Sequence, residues 1–264
     1  MFKRKGKSKM KKGQMTIFII LGIVLVVVAL LVFLINIRNP LSGINSVKNP
    51  EAFLQGCISP AIKEISTKLK QTGGNLNPEE FIEFEMNKEK QNLTYLCYTN
   101  ISYVPCRIQE PMLIQKIKKE IEEELSKSVE NCFEELKENF EGQGYTVEVG
   151  EGQEIKVELL SKKISVQIDK RFSSLKQGGG FNENVFNFQE QDYLYDLAIV
   201  AQEIISQEAN YCNFEQLGFS SIYPEFEIKK IRTSNLDTIY VVTSKKSSQE
   251  FKFVTRSCVI PPGF

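Results

Sequence analysis

The chain of 264 residues contains no histidine and no tryptophan. Without histidine it cannot form a Ser-His-Asp triad, a Cys-His pair or a metal site with an imidazole ligand. It also lacks the Cys-x-x-Cys spacing that structural zinc sites usually show. These absences exclude the commonest hydrolytic and metal-dependent mechanisms, and we predict neither a cofactor nor a metal site.

Two weak patterns remain for catalysis. Residues 173–176 (Ser-Ser-Leu-Lys) match the Ser-x-x-Lys pattern in which a lysine activates a serine. No Lys-Thr-Gly follows, and a chain this rich in serine and lysine gives such matches by chance. A paired-carboxylate glycosidase site could use Glu83, Glu85, Glu148 and Glu158, but their alternation in amphipathic strands favours a solvated face. We therefore predict no enzyme activity, and an extracytoplasmic enzyme of unknown reaction is the third hypothesis.

Charge is balanced in total but not along the chain, which has 33 basic and 33 acidic residues. Seven of the basic residues lie within the first twelve positions, and Arg38 is the eighth. The remainder carries 25 basic and 33 acidic residues, a net charge of −8. Because nucleic-acid binding needs clustered lysine and arginine to neutralise phosphates, we predict no nucleic-acid partner.

Residues 15–37 form an uncharged run of 23 residues rich in isoleucine, valine and leucine. A helix of this length spans roughly 30 Å of hydrocarbon, and it exceeds the ~7–15 residues of a secretory signal core. We predict a transmembrane helix over 15–37 with the lipid bilayer as its partner; a buried core helix is the alternative. The positive-inside rule then places the basic tail, residues 1–14, in the cytoplasm.

This orientation defines the predicted organisation. Residues 38–49 form a linker, and residues 50–264 form an extracytoplasmic domain with a possible sub-boundary near 176–182. The predicted location is the cell membrane, single-pass, with the N-terminus cytoplasmic and the C-terminal domain outside.

The junction Lys11-Lys12-Gly13-Gln14-Met15-Thr16 resembles the N-terminus of archaeal class III prepilins. The resemblance is strongest over residues 11–37 and implies cleavage by a membrane peptidase between Gly13 and Gln14. In that family the fifth residue after the cut is usually glutamate, whereas Phe18 stands here. The resemblance therefore implies prepilin-type processing and a minor, pilin-like subunit in a pilus-like assembly. Phe18 differs from the family in this respect, because the glutamate that serves filament assembly is missing.

The layout also resembles a group of archaeal single-pass membrane proteins to which no activity is assigned. That group shares a Lys-Gly-Gln start, a cysteine-bearing helix that ends in Gly-Gly, and a second cysteine-bearing helix. Here these features correspond to residues 12–14, to the segment from Cys57 to Gly74, and to a helix ending near Cys132. The resemblance implies architecture and location only.

All six cysteines follow residue 38, where an even number predicts disulfides if the domain is exported. Six cysteines allow 15 pairings, and free buried thiols are the alternative. We pair Cys97 with Cys106 because they are close in sequence and flank a short turn. Cys57 and Cys132 each lie on a predicted helix and form the second pair. Cys212 and Cys258 then remain as the third. The predicted set is Cys57–Cys132, Cys97–Cys106 and Cys212–Cys258.

Two glycosylation sequons occur in a polar, turn-like region of the predicted external domain. They are Asn92-Leu93-Thr94 and Asn100-Ile101-Ser102. Sequons also arise by chance, so Asn92 and Asn100 are candidates for modification.

Helical spacing of apolar residues occurs in three segments of the predicted domain. A helix is expected from Asn49-Pro50-Glu51, where asparagine caps the first turn, to Gly73-Gly74, and Pro60 should kink this helix or divide it in two. The second and third helical segments are Glu110 to Phe140 and Phe188 to Glu208.

Strand patterns fill the segments between these helices. Phe81 to Met86 and Leu93 to Tyr98 predict a hairpin, and three short runs between Tyr145 and Asp169 predict a β-meander. Residues 177–180 (Gln-Gly-Gly-Gly) predict a flexible break, and three more strands are expected between Glu225 and Val259. The predicted fold class is α+β: an N-terminal transmembrane helix followed by amphipathic helices packed on antiparallel sheets.

The leading functional hypothesis is a membrane-anchored extracytoplasmic protein with a structural or recognition role and no catalytic activity. The alternative is the minor pilin-like subunit processed between Gly13 and Gln14. The aromatic cluster at the start of the third helix is expected to serve packing more often than binding. Its members are Phe181, Phe186, Phe188, Tyr193 and Tyr195.

Overall fold

The computed structural model of the protein describes residues 22–27, 49–86 and 89–259. The chain divides into two compact units, Met1–Lys48 and Asn49–Phe264. In the first unit, residues 22–27 are helical and are named α1. The remaining elements belong to the second unit, and the functional features described below all lie there.

The predicted transmembrane helix over 15–37 is contradicted by the structure. Of that run the structure describes 22–27, which is helical, and the rest lies outside the described residues. Across the described ranges, no helix is both long enough and apolar enough to cross a membrane. The transmembrane part of the predicted fold and the single-pass location both required such a helix, so this finding contradicts them.

The second unit contains four helices and ten strands within the described residues. The helices are α2 (Pro50–Thr72), α3 (Leu113–Gly142), α4 (Leu194–Tyr211) and α5 (Gln216–Ile222). The first five strands are β1 (Phe81–Met86), β2 (Glu89–Tyr98), β3 (Arg107–Ile108), β4 (Thr146–Val149) and β5 (Glu154–Leu160). The others are β6 (Lys163–Lys176), β7 (Gly179–Gln191), β8 (Phe226–Arg232), β9 (Thr238–Ser244) and β10 (Glu250–Arg256).

Helix α2 begins and ends where the sequence predicts. The Asn49 side chain accepts hydrogen bonds from the backbone N–H of Glu51 (2.9 Å) and Ala52 (3.4 Å), which caps the first turn. At the other end Gly73 takes φ +76°, and its N–H donates to the carbonyl of Leu69. A left-handed residue of this kind favours glycine and stops the helix.

The first sheet has the strand order β1-β2-β10-β9-β8, with β3 paired to β2. Its pairs are antiparallel except β2 with β10, which is parallel. The described residues therefore form a mixed α/β fold with two sheets, which corrects the prediction of antiparallel sheets. The parallel pair was not predictable locally, because its two strands lie more than 150 residues apart in the chain.

The second sheet is built around the long strand β6. Strands β4 and β5 both pair with one side of β6, at Phe172–Leu175 and at Lys163–Asp169 respectively, and β7 pairs with the other side. The predicted β-meander is therefore wrong in order, because β6 is long enough to hold two short strands end to end. The predicted break at 177–180 is the tight β6–β7 turn, with Gly178 at φ +104°.

Strand β7 and the start of α4 also differ from the prediction. Helical spacing was expected to begin at Phe188, but residues 179–191 form the strand β7 and the helix begins at Leu194. Phe186 and Phe188 alternate with exposed residues and are buried on the inner face. The alternating apolar residues of β7 are followed almost at once by the apolar residues of α4. The sequence alone therefore does not show where the strand ends and the helix begins.

Helices α2 and α4 contact strands of both sheets, so they form a layer between the sheets. Helix α3 packs on α2 and on β4 and β5. Its buried stripe is the one expected from the sequence: Leu113, Ile117, Ile121, Leu125, Val129, Cys132, Phe133, Leu136 and Phe140. The inner faces of both sheets meet this helical layer, whereas the outer face of the second sheet is polar.

A buried ion pair joins α2 to the β7–α4 connection. The Lys70 Nζ lies 2.7 Å from one carboxylate oxygen of Asp192 and 3.0 Å from the other. The hydroxyl of Ser66 and the backbone N–H of Leu194 also donate to this carboxylate, at 2.9 and 2.7 Å. Gln249, in the β9–β10 turn, accepts from Lys70 (2.9 Å) and from the N–H of Tyr193 (3.0 Å). The cluster therefore connects α2, α4 and the first sheet.

Candidate recognition groove

A cavity of about 710 Å³ lies between α4, α5 and the start of β8. We call it the α4–α5 groove. Its apolar walls come from Ile199 and Val200 on α4, from Phe219 and Ile222 on α5, and from Tyr223 and Phe226. Ile199, Ile222 and Tyr223 expose 41%, 71% and 47% of their surface. Such a concentration of exposed apolar side chains beside a concave surface is typical of a binding site.

Helix α4 supplies one wall because its two faces differ. Its inner face is fully packed between the sheets, with Leu197, Ala201 and Ile204 at 0% exposure. Ile199 lies on the opposite face and has no such cover. Helix α5 supplies the facing wall, and none of its seven residues is buried. Glu215 caps its first turn, because the Glu215 carboxylate accepts from the N–H groups of Leu217 (3.1 Å) and Gly218 (3.4 Å).

An aromatic chain connects α5 to the core of the unit. The Phe219 ring lies 4.8 Å from Tyr223 and 5.4 Å from Phe214, centroid to centroid. Phe214 is buried and contacts Tyr240 at 6.1 Å, and Tyr240 stacks on Phe253 at 5.4 Å. The side chain of Gln216 also donates to the backbone carbonyl of Ile228. These contacts hold α5 in place although the helix itself is exposed.

The C-terminal end of α4 is fixed by a polar cluster and a disulfide. Glu208, which is 3% exposed, accepts from the Tyr240 hydroxyl and lies 3.3 Å from the Lys230 Nζ. Burial raises the pKa of Tyr240 far above its usual range, and the Glu208 carboxylate raises it further. The tyrosine therefore stays neutral and donates. Cys212 follows the helix at φ +57° and is bonded to Cys258.

Among the residues that the structure describes, the α4–α5 groove is lined by four carboxylates and by no basic side chain. They are Asp196, Glu203, Glu215 and Glu225. Asp196 accepts from the Ser161 hydroxyl and from the Lys162 N–H, each at 2.8 Å. Within the part of the chain that the structure describes, none of the four forms an ion pair. The groove is therefore apolar in its walls and negative in its charge.

The weak catalytic patterns do not assemble a site. Ser173 and Lys176 are three residues apart on strand β6, so their side chains point to opposite faces of the sheet. The Lys176 Nζ instead donates to the carbonyl of Gln143 at 2.7 Å. The glutamates named as possible glycosidase residues, Glu83, Glu85, Glu148 and Glu158, are exposed. No group of metal-binding side chains converges within the described ranges.

The structure brings together each of the three cysteine pairs chosen from the sequence. The Cα–Cα distances are 5.9 Å for Cys57–Cys132, 5.4 Å for Cys97–Cys106 and 5.5 Å for Cys212–Cys258. All three lie within the range of about 4.4–6.8 Å that disulfides require. The described part of the chain has no free cysteine, and the expectation of disulfide bonds is confirmed.

The other predicted sites are scattered. Asn92 is exposed on β2, and Asn100 is exposed in the turn that follows it. Both side chains are therefore accessible, and their glycosylation stays a prediction. Gly13 and Gln14 lie outside the described residues, so processing between them also stays a prediction.

Sequence reasoning missed most of the α4–α5 groove. Of the predicted aromatic cluster, Phe186 and Phe188 are core residues and only Tyr195 lines the groove. Helix α5 was not predicted at all. The available signal was the apolar spacing of Phe219, Ile222 and Tyr223 in a segment assigned neither to a helix nor to a strand.

Comparison of the chain with protein-family models, with curated proteins and with solved structures finds no match. The geometry and charge of the α4–α5 groove therefore carry the functional conclusion.

Proposed function

We propose that residues 49–259 act as a recognition domain, without catalysis, and that the α4–α5 groove binds a cationic amphipathic segment of a partner protein. The observation that carries this proposal is the set of four carboxylates without ion pairs around an exposed apolar surface. Lysine or arginine side chains of a partner would pair with these carboxylates, and its apolar side chains would cover Ile199, Ile222 and Tyr223.

The shape of the groove supports a peptide segment as the occupant. A volume of about 710 Å³ lies within the usual range for ligand sites, roughly 300–1,000 Å³. The apolar walls come from two helices and the start of a strand, so an amphipathic helix can lie with its apolar face inward. The aromatic chain and the Cys212–Cys258 disulfide keep the walls in place. A groove fixed before binding loses less conformational entropy when the partner docks.

Reversing the charge of the groove should weaken binding of a model peptide. The probe is a synthetic amphipathic helix of lysine and leucine, measured by isothermal titration calorimetry against the full chain. The E203K/E225K variant is expected to bind at least about tenfold more weakly, a loss of about 1.4 kcal/mol. Affinity of the unmodified chain should also fall as salt rises, because the groove charges are accessible to ions.

The matched control changes the same charge elsewhere. The E130K/E151K variant alters two exposed glutamates outside the groove and should bind as the unmodified chain does. Equal weakening in both variants would show a general charge effect and would contradict a binding site at the α4–α5 groove.

The apolar contribution can be tested separately with two exposed residues of α5. Ile222 lines the groove and Leu217 does not, although they expose similar fractions, 71% and 78%. The I222S variant is expected to lose about 1–2 kcal/mol of peptide binding, since one aliphatic side chain is no longer buried. The L217S variant should bind normally. The same titration decides the point, and an unaffected I222S would place the peptide elsewhere.

A further inference from the structure

The long strand β7 forms an edge of the second sheet. It spans 13 residues, pairs with β6 on one side, and has no strand on its other side within the described residues. The N–H of Asp192, just after the strand, donates to the carbonyl of Lys162 at 3.1 Å. Antiparallel ladders alternate from there, so the N–H and C=O groups of the odd-numbered residues 185–191 point away from β6.

Side-chain exposure agrees with an open edge. Val185, Asn187, Gln189 and Gln191 are all exposed. The four residues opposite them on β6, on the same face of the sheet, are only half-exposed. They are Asp169, Gln167, Ser165 and Lys163. The difference in exposure arises because β6 has a paired strand on each side, whereas β7 has a paired strand on one side.

The other edge of this sheet is closed by α3. The Glu122 carboxylate accepts from the backbone N–H of Val157 on β5 at 2.9 Å. Gln153, next to β5, donates to the carbonyl and to the hydroxyl of Ser126, each at 2.9 Å. No side chain makes such a bond to an outward backbone group of residues 185–191 in the described part of the chain. One edge is therefore occupied and the other is available.

Strand β7 also lacks the features that keep edge strands apart. It contains no lysine, arginine or proline, which proteins commonly place on exposed edges. By contrast β8, an edge of the first sheet, carries Lys229, Lys230 and Arg232. Of the two acidic residues in β7, Glu190 is 9% exposed and lies 3.1 Å from the Lys63 Nζ. The outward residues 185–191 carry no charge, so a second copy of this edge meets no like charge.

We propose that β7 pairs antiparallel with β7 of a second copy of this chain, which joins two four-stranded sheets into one continuous sheet of eight strands. A twofold axis near Phe188 places Asn187 of one copy opposite Gln189 of the other and Val185 opposite Gln191. Both members of each pair then present outward backbone groups, so the ladder continues across the axis. Glu190 falls opposite Phe186, so no carboxylate faces its own copy. This pairing does not depend on the α4–α5 groove.

The test is the oligomeric state of the full chain by sedimentation velocity over a range of concentrations. The unmodified chain is expected to form a dimer, and the N187K/Q189K variant is expected to be a monomer, because four ammonium groups would meet across the axis. The S165K/Q167K variant adds the same charge to the neighbouring strand on the same face and should remain dimeric. Circular dichroism checks that each variant is folded.

A backbone variant tests the ladder itself. The Q189P substitution removes an N–H that has no partner among the described residues and should raise the dimer dissociation constant at least tenfold with little change in secondary structure. A monomeric unmodified chain would overturn the proposal. So would a dimer that persists unchanged in both N187K/Q189K and Q189P, since its interface would then lie elsewhere.

Discussion

Replacing Lys70 by methionine is expected to lower the free energy of unfolding by about 3–5 kcal/mol, because the substitution leaves a buried carboxylate without its cation. Lys70 and Asp192 are both 5% exposed. Burial lowers the pKa of Lys70 from its usual value, against the opposing effect of Asp192, so desolvation is the largest influence on this ammonium group. The measurement is urea denaturation of K70M and the unmodified chain.

The position of the pair explains why the expected effect is large. After K70M, the Ser66 hydroxyl and the Leu194 N–H still donate to Asp192, but neither neutralises its charge. Gln249 loses its bond to Lys70 and keeps only the N–H of Tyr193. The loss of the Lys70 ammonium group therefore weakens the contacts that α2 makes with the start of α4 and with the β9–β10 turn.

Two further variants separate charge from packing. K68M removes a lysine that pairs with Glu64 at 2.8 Å, where both side chains are more than half exposed (55% and 67%), so it should destabilise the chain far less than K70M does. K70M/D192N removes both charges and keeps an oxygen that can accept from Ser66 and Leu194. It should be more stable than K70M alone. Equal losses in K70M and K68M would contradict an electrostatic role for the buried pair.

The same cluster shows why part of the fold could not be predicted from the sequence. The ends of α2 were predictable, because Asn49 caps the first turn locally and Gly73 adopts a left-handed conformation. The change from β7 to α4 at Asp192 depends on Lys70, which is 122 residues earlier in the chain. No local pattern encodes such a contact, so the predicted helix began too early, at Phe188.

The order of strands in the second sheet was unpredictable for a related reason. Alternating residues identified β4, β5 and the first half of β6, but not that β6 continues to Lys176. Its full length allows β4 and β5 to pair with the same side. Alternation along a strand predicts which of its side chains face the core. It does not predict which strand lies beside it, because that depends on pairing between distant parts of the chain.

The α4–α5 groove combines groups that only the fold brings together. Asp196 and Glu203 belong to α4, whereas Glu215 and Glu225 flank α5. A seven-residue helix without a buried residue is too short to repeat its apolar spacing, and Phe219, Ile222 and Tyr223 alone do not distinguish a helix from a loop. The site was therefore not predictable, although the acidic balance after residue 38 was visible in the composition.

Opening the Cys57–Cys132 disulfide is expected to destabilise the chain more than opening either of the others. The cysteines are 75 residues apart, so their bond restricts a long loop in the unfolded chain. The chain-entropy relation gives about 4.5 kcal/mol for this loop. The relation gives about 4 kcal/mol for Cys212–Cys258 and about 2.6 kcal/mol for Cys97–Cys106, whose separations are 46 and 9 residues.

Paired substitutions test this order. C57A/C132A, C212A/C258A and C97A/C106A each remove one bond without leaving a free thiol, and urea denaturation gives the three losses. Because all three variants replace two cysteines by alanine, their differences report mainly on loop length and local packing. A larger loss for C97A/C106A than for C57A/C132A would show that packing at Cys97, which is fully buried, outweighs loop entropy.

The Cys212–Cys258 bond should differ from the other two in one further respect. It fixes the chain directly after α4, the helix that forms one wall of the α4–α5 groove. Opening it should let this end of the groove move, so C212A/C258A is expected to weaken binding of the lysine–leucine peptide by several-fold. The Cys57–Cys132 bond joins α2 and α3, away from the groove, so C57A/C132A should bind normally at temperatures where it stays folded. Equal binding by both variants would show that the aromatic chain from Tyr223 to Phe253 is sufficient to hold the groove.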